Sequence, residues 1–167
     1  MDVFIEQIIS KKKNTQDVLV NAGIIAAGLI LSLVIFSIPY IQSFAIFLFA
    51  GIAFGVYYLI TSRNIEFEYI LTNGELDIDK IISRRKRKRV FSASCKDFDI
   101  VARVSSDKFT NEVKGIRKKL ELAGSMSSPD VYFATLNLKG ERTLLLFEPQ
   151  KKMLDSFKTY IPRKVFE

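Results

Sequence analysis

Ile65-Glu-Phe-Glu-Tyr-Ile-Leu-Thr-Asn-Gly-Glu-Leu-Asp-Ile-Asp-Lys-Ile-Ile82 reads as two strands joined by a tight turn. Ile65, Phe67, Tyr69 and Leu71 alternate with Glu66 and Glu68, the period of two expected of a half-buried strand. Asn73 and Gly74 between two such runs predict a type I′ hairpin, because both residues tolerate positive φ. Centring the turn there pairs Leu71 with Leu76, Tyr69 with Ile78, and Ile65 with Ile82. The apolar face is interrupted where Phe67 meets Lys80. The opposite face sets Glu68 against Asp79, with Glu66 and Asp77 nearby. Facing like charges cost stability unless a cation intervenes.

Cations follow directly. After Ser83 come six consecutive bases, Arg84, Arg85, Lys86, Arg87, Lys88 and Arg89, and then the strand-like Val90–Cys95. If the run continues into that strand, alternate residues point to opposite faces and some bases neutralise the acidic hairpin. The same six residues are the candidate contacts for lipid headgroups or other phosphates. A fourth strand is expected at Asp97–Val104, and others at Val131–Leu138 and Arg142–Phe147, with a turn at Lys139-Gly140. Pro149 is expected to open a helix over 149–161, with Met153, Leu154, Phe157, Tyr160 and Ile161 on its apolar face. Residues 105–130 carry a thin apolar stripe of Phe109, Val113, Ile116 and Leu120, and read equally as a short helix or a mobile insertion.

N-terminal to the acidic hairpin the pattern changes altogether. Residues 18–38 and 43–60 are almost unbroken apolar runs, and the first would span roughly 30 Å as a helix, the thickness of a bilayer core. Only Pro39, Tyr40, Ile41 and Gln42 separate them, which forces an antiparallel hairpin. Lys11, Lys12 and Lys13 precede the first run and Arg63 follows the second, whereas the connecting loop has no base. The positive-inside rule then puts both termini in the cytoplasm. A cleaved signal peptide is not expected, since the run is too long and no small-residue cleavage site follows. Gly51 and Gly55 form a G-x-x-x-G, and Gly23 and Ala27 a small-xxx-small pair. Such faces let helices approach closely, either the two spans of one chain or the spans of two copies. In residues 1–16, Val3, Phe4, Ile5, Ile8 and Ile9 fall at helical spacing. They predict an amphipathic helix lying in the interface or packed on the domain.

Composition narrows the function. The 167 residues carry a net charge of +7, no histidine and one cysteine. The three lysines before the first run balance Asp2, Glu6 and Asp17, so the whole excess lies beyond Thr61. Without histidine most hydrolase triads and zinc sites are removed, and there is no phosphate-binding Gly-rich loop or dinucleotide fingerprint. Cys95 has no base to activate it. The expectation is therefore no catalytic residue, no metal and no cofactor.

Short antiparallel strands closed by one amphipathic C-terminal helix suggest a partly open β-barrel with a helix over one end. The Tyr69–Ile81 segment, with its arginine-rich turn and following apolar strand, resembles the opening of bacterial PH-like domains, which often follow a pair of membrane spans. Nearly the whole chain is similar to a family of uncharacterised small two-span membrane proteins of Gram-positive bacteria. That similarity is carried by residues 2–7, the hairpin, Tyr69–Arg89, Ser127–Asp130, and Thr143–Pro149 with Met153-Leu154. The resemblance implies no activity.

Taken together, the expected protein is an α+β membrane protein: an amphipathic segment (1–16), a transmembrane helical hairpin (17–62), and a cytoplasmic PH-like antiparallel β-barrel with a capping helix (63–167). It is expected in the bacterial plasma membrane as a binding or scaffolding module. Its expected partners are acidic inner-leaflet lipids, an unidentified protein, and, through Gly51 and Gly55, a second copy. A membrane-tethered nucleic-acid-binding protein is the alternative; the lack of aromatic platforms among the bases argues against it.

Overall fold

The computed structural model describes residues 3–166, and the chain divides into two units, residues 12–64 and residues 1–11 together with 65–167. The smaller unit is a helical hairpin. Helix α1 (Thr15–Ser37) is capped by Asn14, whose side chain and that of Asp17 form a reciprocal capping box. A 3₁₀ turn over Pro39–Phe44 leads into α2 (Ala45–Thr61). Both helical stretches are long and apolar enough to cross a membrane, and only 6% of each apolar window is buried. They are therefore not the core helices of a folded globule. Asp17 and Arg63 close the base of the hairpin with an ion pair of 2.6 Å.

The larger unit begins before the hairpin and resumes after it. Residues expected as an amphipathic helix form instead β1 (Phe4–Ser10), an edge strand paired antiparallel with β2 (Ile65–Thr72) over seven residues, from Phe4↔Thr72 to Ser10↔Glu66. The helical spacing was misleading because Ile5 and Ile9 also share a face at period two. There they pack with Ile65 against the core, while Phe4 and Ile8 point outward. Hydrogen bonds to the rest of the unit decide the matter. The Gln7 amide donates to the Glu148 carbonyl (2.9 Å) and accepts from the Gln150 backbone N–H (2.7 Å). Asn73 Oδ1 accepts from the Val3 N–H. Gly124 sits so close to Ile9 and Ser10 that any Cβ there would collide with them.

Strand β2 turns at Asn73 (φ 49°) and Gly74 (φ 87°) into β3 (Glu75–Ile82), in the register Leu71↔Leu76, Tyr69↔Ile78, Phe67↔Lys80 and Ile65↔Ile82. β4 (Lys86–Ser94) completes a sheet of order β1-β2-β3-β4 and starts four residues earlier than the apolar pattern indicated, inside the basic run. A bulge between Ile78 and Asp79 sets Phe91 opposite Ile78 and Arg89 opposite Asp79.

The second sheet holds β5 (Phe98–Arg103), β6 (Lys118–Glu121), β7 (Tyr132–Leu138), β8 (Glu141–Phe147) and β9 (Val165–Phe166), in the order β6-β8-β7-β5-β9. Two expectations are corrected here. The sheet is mixed, because β6 runs parallel to β8 and β9 parallel to β5. Residues 105–130, expected as a short helix or a mobile insertion, hold a short helix of a single turn, α3 (Asn111–Lys114), followed by a strand that was not expected, β6. Phe109, Val113 and Ile116 of that segment pack on the outer face of the second sheet, against Ala102, Phe133, Leu144 and Leu146. This explains why β7 and β8 are buried on both faces.

The main core lies between the sheets. Tyr69, Leu71, Leu76, Ile78 and Phe91 from the first meet Val101, Leu136, Leu145 and Phe147 from the second, with Met153, Leu154 and Phe157 of α4 (Lys151–Tyr160). Tyr69 crosses from one sheet to the other, donating to the Leu122 carbonyl (2.7 Å) and accepting from the Glu148 N–H. Pro149 precedes the helix instead of opening it, because Gln150, the N-cap, is held extended by its bond to Gln7. Among the described residues no strand pairing joins the two sheets into a closed barrel.

Gly74 is doubly constrained: its φ is left-handed, and a Cβ there would meet the Tyr160 ring at 3.2 Å. Gly74→Ala in the full chain is expected to destabilise the larger unit by about 1 kcal/mol or more. Thermal unfolding followed by circular dichroism checks it, and an unchanged midpoint would contradict the strain. The strand β1 must be retained in any such measurement.

Candidate functional site

The six bases occupy a turn and the first half of an edge strand, and strand geometry divides them. The turn runs Ile82-Ser83-Arg84-Arg85, closed by the Arg85 N–H on the Ile82 carbonyl (3.1 Å). Ser83 and Arg84 both have φ of 56°, two consecutive left-handed residues without a glycine. Such a conformation costs strain in residues that carry a Cβ.

From Lys86 onward side chains alternate. Arg87 and Arg89 fall on the face that carries the acidic hairpin. Arg87 Nη2 reaches Glu68 Oε1 at 2.8 Å, and Arg89 bridges Asp79 (Nε, 2.7 Å) and Asp77. Arg84, on the turn, touches Glu66 at 3.3 Å with its side chain 85% exposed. The carboxylate partners hold the Arg89 guanidinium above its ordinary pKa, Asp79 contributing most. Lys88 points to the other face, where it stands directly opposite Lys80, while Lys86, the first residue of the strand, borders an open cavity beside the turn. Among the described residues the side chains of Arg85, Lys86, Lys88 and Lys80 have no hydrogen-bond or ion-pair partner. The run thus separates into paired arginines and unpaired bases.

The register also locates the turn. Ile82 pairs with Ile65, and the Lys11 N–H donates to the Ile65 carbonyl at 2.9 Å. The basic turn therefore lies at the end of the sheet where the chain leaves for the hairpin and returns from it. Twenty residues of separation along the chain amount to adjacent strands in space.

On the acidic face Glu68 is 2% exposed, and its Oε2 has no donor. Burial is the main cause that raises its pKa above 4.5. Arg87 opposes the shift, while the neighbouring Glu6 and Asp79 carboxylates add to it. The Glu6 carboxylate lies within hydrogen-bonding reach, so a proton on Glu68 has an acceptor there. Cys95 is fully buried, and burial pushes its thiol up to about 12, so it is no nucleophile at neutral pH. No cluster of potential metal ligands occurs among the described residues.

In the hairpin the small residues do not all pack where their spacing suggested. A Cβ on Gly23, Gly51 or Gly55 would meet no atom within 4 Å, and Ala27 is exposed. Gly28 makes the close approach instead, against Val56 and Ile52. Within one hairpin the close approach of the two helices is therefore made at Gly28. The one-residue offset between Ala27 and Gly28 turns the contact by about 100° around a 3.6-residue helix.

Between 4.5 and the raised value of Glu68 the native state holds more protons than the unfolded chain. The contribution of this group is fully present below its unfolded pKa and is lost as pH rises through its folded pKa. Glu68→Gln removes the buried charge and leaves only a half-exposed Arg87 to be solvated. The variant is expected to gain stability on the wild type as pH rises from mildly acidic to neutral. Denaturation midpoints of the two proteins across that range test it, and a constant difference would contradict the assignment.

Compared with known proteins, residues 1–167 match the family model described as Bacterial PH-like domain (DUF6106). No curated protein and no solved structure matches the chain. The chain belongs to that bacterial PH-like family.

Proposed function

We infer that this member of the bacterial PH-like family is a binding module held at the inner face of the plasma membrane by its helical hairpin, the two sheets and α4 forming the partly open barrel of that domain. The observation that carries the reading is the position of the unpaired bases, at the sheet end where β1 and β2 join the hairpin. Pairing of β1 with β2 means that residues 4–10 and 65–72 share one compartment. A membrane-spanning insert between them therefore crosses an even number of times, in accord with two apolar helices. It also argues against cleavage of α1 as a signal sequence, which would remove a strand of the sheet. With lysines and Arg63 flanking the insert and no base in the 39–42 loop, the positive-inside rule favours cytoplasmic termini.

The bases serve two ends. Arg87 and Arg89 hold the acidic face together, so they contribute little free charge. Arg85, Lys86 and Lys88 remain to attract anionic headgroups, each by on the order of 1 kcal/mol near the surface and less at high salt. A scaffolding role toward a protein partner is compatible with this placement.

Two measurements test the reading. Gln42→Cys is expected to react with an impermeant thiol reagent in intact cells, and Lys139→Cys, at an exposed hairpin tip, only after lysis. The reverse pattern would overturn the orientation. The buried Cys95 should stay silent in both. In bilayers of phosphatidylcholine, spin-labelled phosphatidylglycerol is expected to associate with the full chain in preference to spin-labelled phosphatidylcholine. That preference should fall with added salt and with Gln at 85, 86 and 88. Equal association of both labels at low salt, together with retention of DNA, would favour the tethered nucleic-acid-binding alternative.

A further inference from the structure

Beside the strained turn lies an open cavity of about 560 Å³, within the size range of small-ligand sites. Its walls differ in chemistry. Ile8 of β1 and Ile81 of β3 supply an apolar side, while Arg84, Arg85 and Lys86 supply a basic one. Ser10 adds a hydroxyl, which rests at 3.4 Å from Glu66, itself a lining residue. The charges can be assigned one by one. Arg87 also borders the cavity but is committed to Glu68, and Arg84 offsets Glu66. Arg85 and Lys86 are left uncompensated, with no side-chain partner among the described residues.

We propose that this cavity binds one phosphate ester, with Arg85 and Lys86 holding the phosphate oxygens and Ile8 and Ile81 bordering its organic substituent. Two uncompensated cations match the charge of roughly −1 to −2 on such a group. An arginine fork and a lysine ammonium are the donors best suited to phosphate oxygens. The Arg84–Glu66 contact is long and exposed, so Arg84 can turn toward an entering anion at small cost. Ser83 and Arg84, on the turn that carries these bases, hold consecutive left-handed conformations, a form of strain that recurs at ligand clamps. Formation of the site requires β1, because Ile8 and Ser10 belong to that strand. The same chemistry is offered by a phospholipid headgroup or by a free phosphate. Only the lipid source rests on the membrane reading above.

The test uses the full chain in uncharged phosphatidylcholine nanodiscs at constant ionic strength, with the Ile8 and Ile81 methyl resonances as reporters. The probes are inorganic phosphate, glycerophosphoglycerol and dihexanoyl-phosphatidylglycerol, with chloride and glycerol as controls. A saturable shift with any phosphate probe and none with the controls is expected. Saturation by the short-chain lipid above all identifies a headgroup site; saturation by the other two alone identifies a soluble phosphate. Arg85→Gln with Lys86→Gln should weaken binding roughly tenfold or more, the scale of one lost charge-assisted bond. Neither side chain has a partner among the described residues, and an unchanged circular dichroism spectrum confirms the fold. Lys88→Gln, which does not line the cavity, should weaken binding less than about twofold, as expected for a screened charge outside the site. A linear, unsaturable response, or equal losses from Lys88→Gln and Lys86→Gln, would overturn the site while leaving general attraction to acidic lipids intact. No response to any probe would overturn it as well.

Discussion

The ladder between β1 and β2 is the constraint on which the remainder of the protein depends. It joins residues on either side of a fifty-residue apolar insertion, so the larger unit cannot complete its first sheet until the chain has left and returned. The ladder is reinforced at both ends. Asn73 binds Val3 through backbone and side chain, and the Lys11 N–H reaches Ile65. Gln7 adds a sideways link to the connection between β8 and α4. An edge strand that would be marginal by itself is thereby tied to three other segments. The hairpin is in effect inserted into a hairpin loop of the β domain, and its two ends must emerge side by side.

Charge on the first sheet follows from the period of two. The outer face gathers Glu66, Glu68, Asp77 and Asp79, which would repel one another, and Arg87 and Arg89 enter the same face from β4. Their contribution is to permit the acidic face rather than to add much net stability, since both arginines are about half exposed and solvent screens the pairs. The residue between them, Lys88, cannot reach those acids from the opposite face. A single run of bases therefore serves a structural end at alternate positions and leaves the others uncompensated.

Segments that resembled the family along the chain meet in space. The start of the chain, through Gln7, contacts Glu148 and Gln150 beside Pro149. Ser10 and Ile9 lie against Gly124, just before the Ser127–Asp130 loop. Tyr69, at the opening of the Asn-Gly hairpin, bonds to Leu122 and Glu148. These contacts link the two sheets through a few polar groups in an otherwise apolar core, where each unmade bond would cost on the order of 1–3 kcal/mol.

The local patterns alone determined the apolar hairpin, the Asn73-Gly74 turn with its register, and the alternation that sends Arg87 and Arg89 toward acids. Each is a short-range matter: run length, tolerance of positive φ, and strand period. Tertiary structure decided the rest. Val3 to Ile9 satisfy helical and strand spacing alike, and only hydrogen bonds to residues more than fifty positions away select the strand. Residues 108–123 contain too few apolar side chains for a self-supporting helix, and the outer face of the second sheet settles where they lie. Gly28 in place of Ala27 is a matter of helix rotation, which spacing within one span does not reveal. The cavity beside the basic turn combines β1 with β3 and β4, so it exists only once the chain has crossed its own hairpin and closed the sheet.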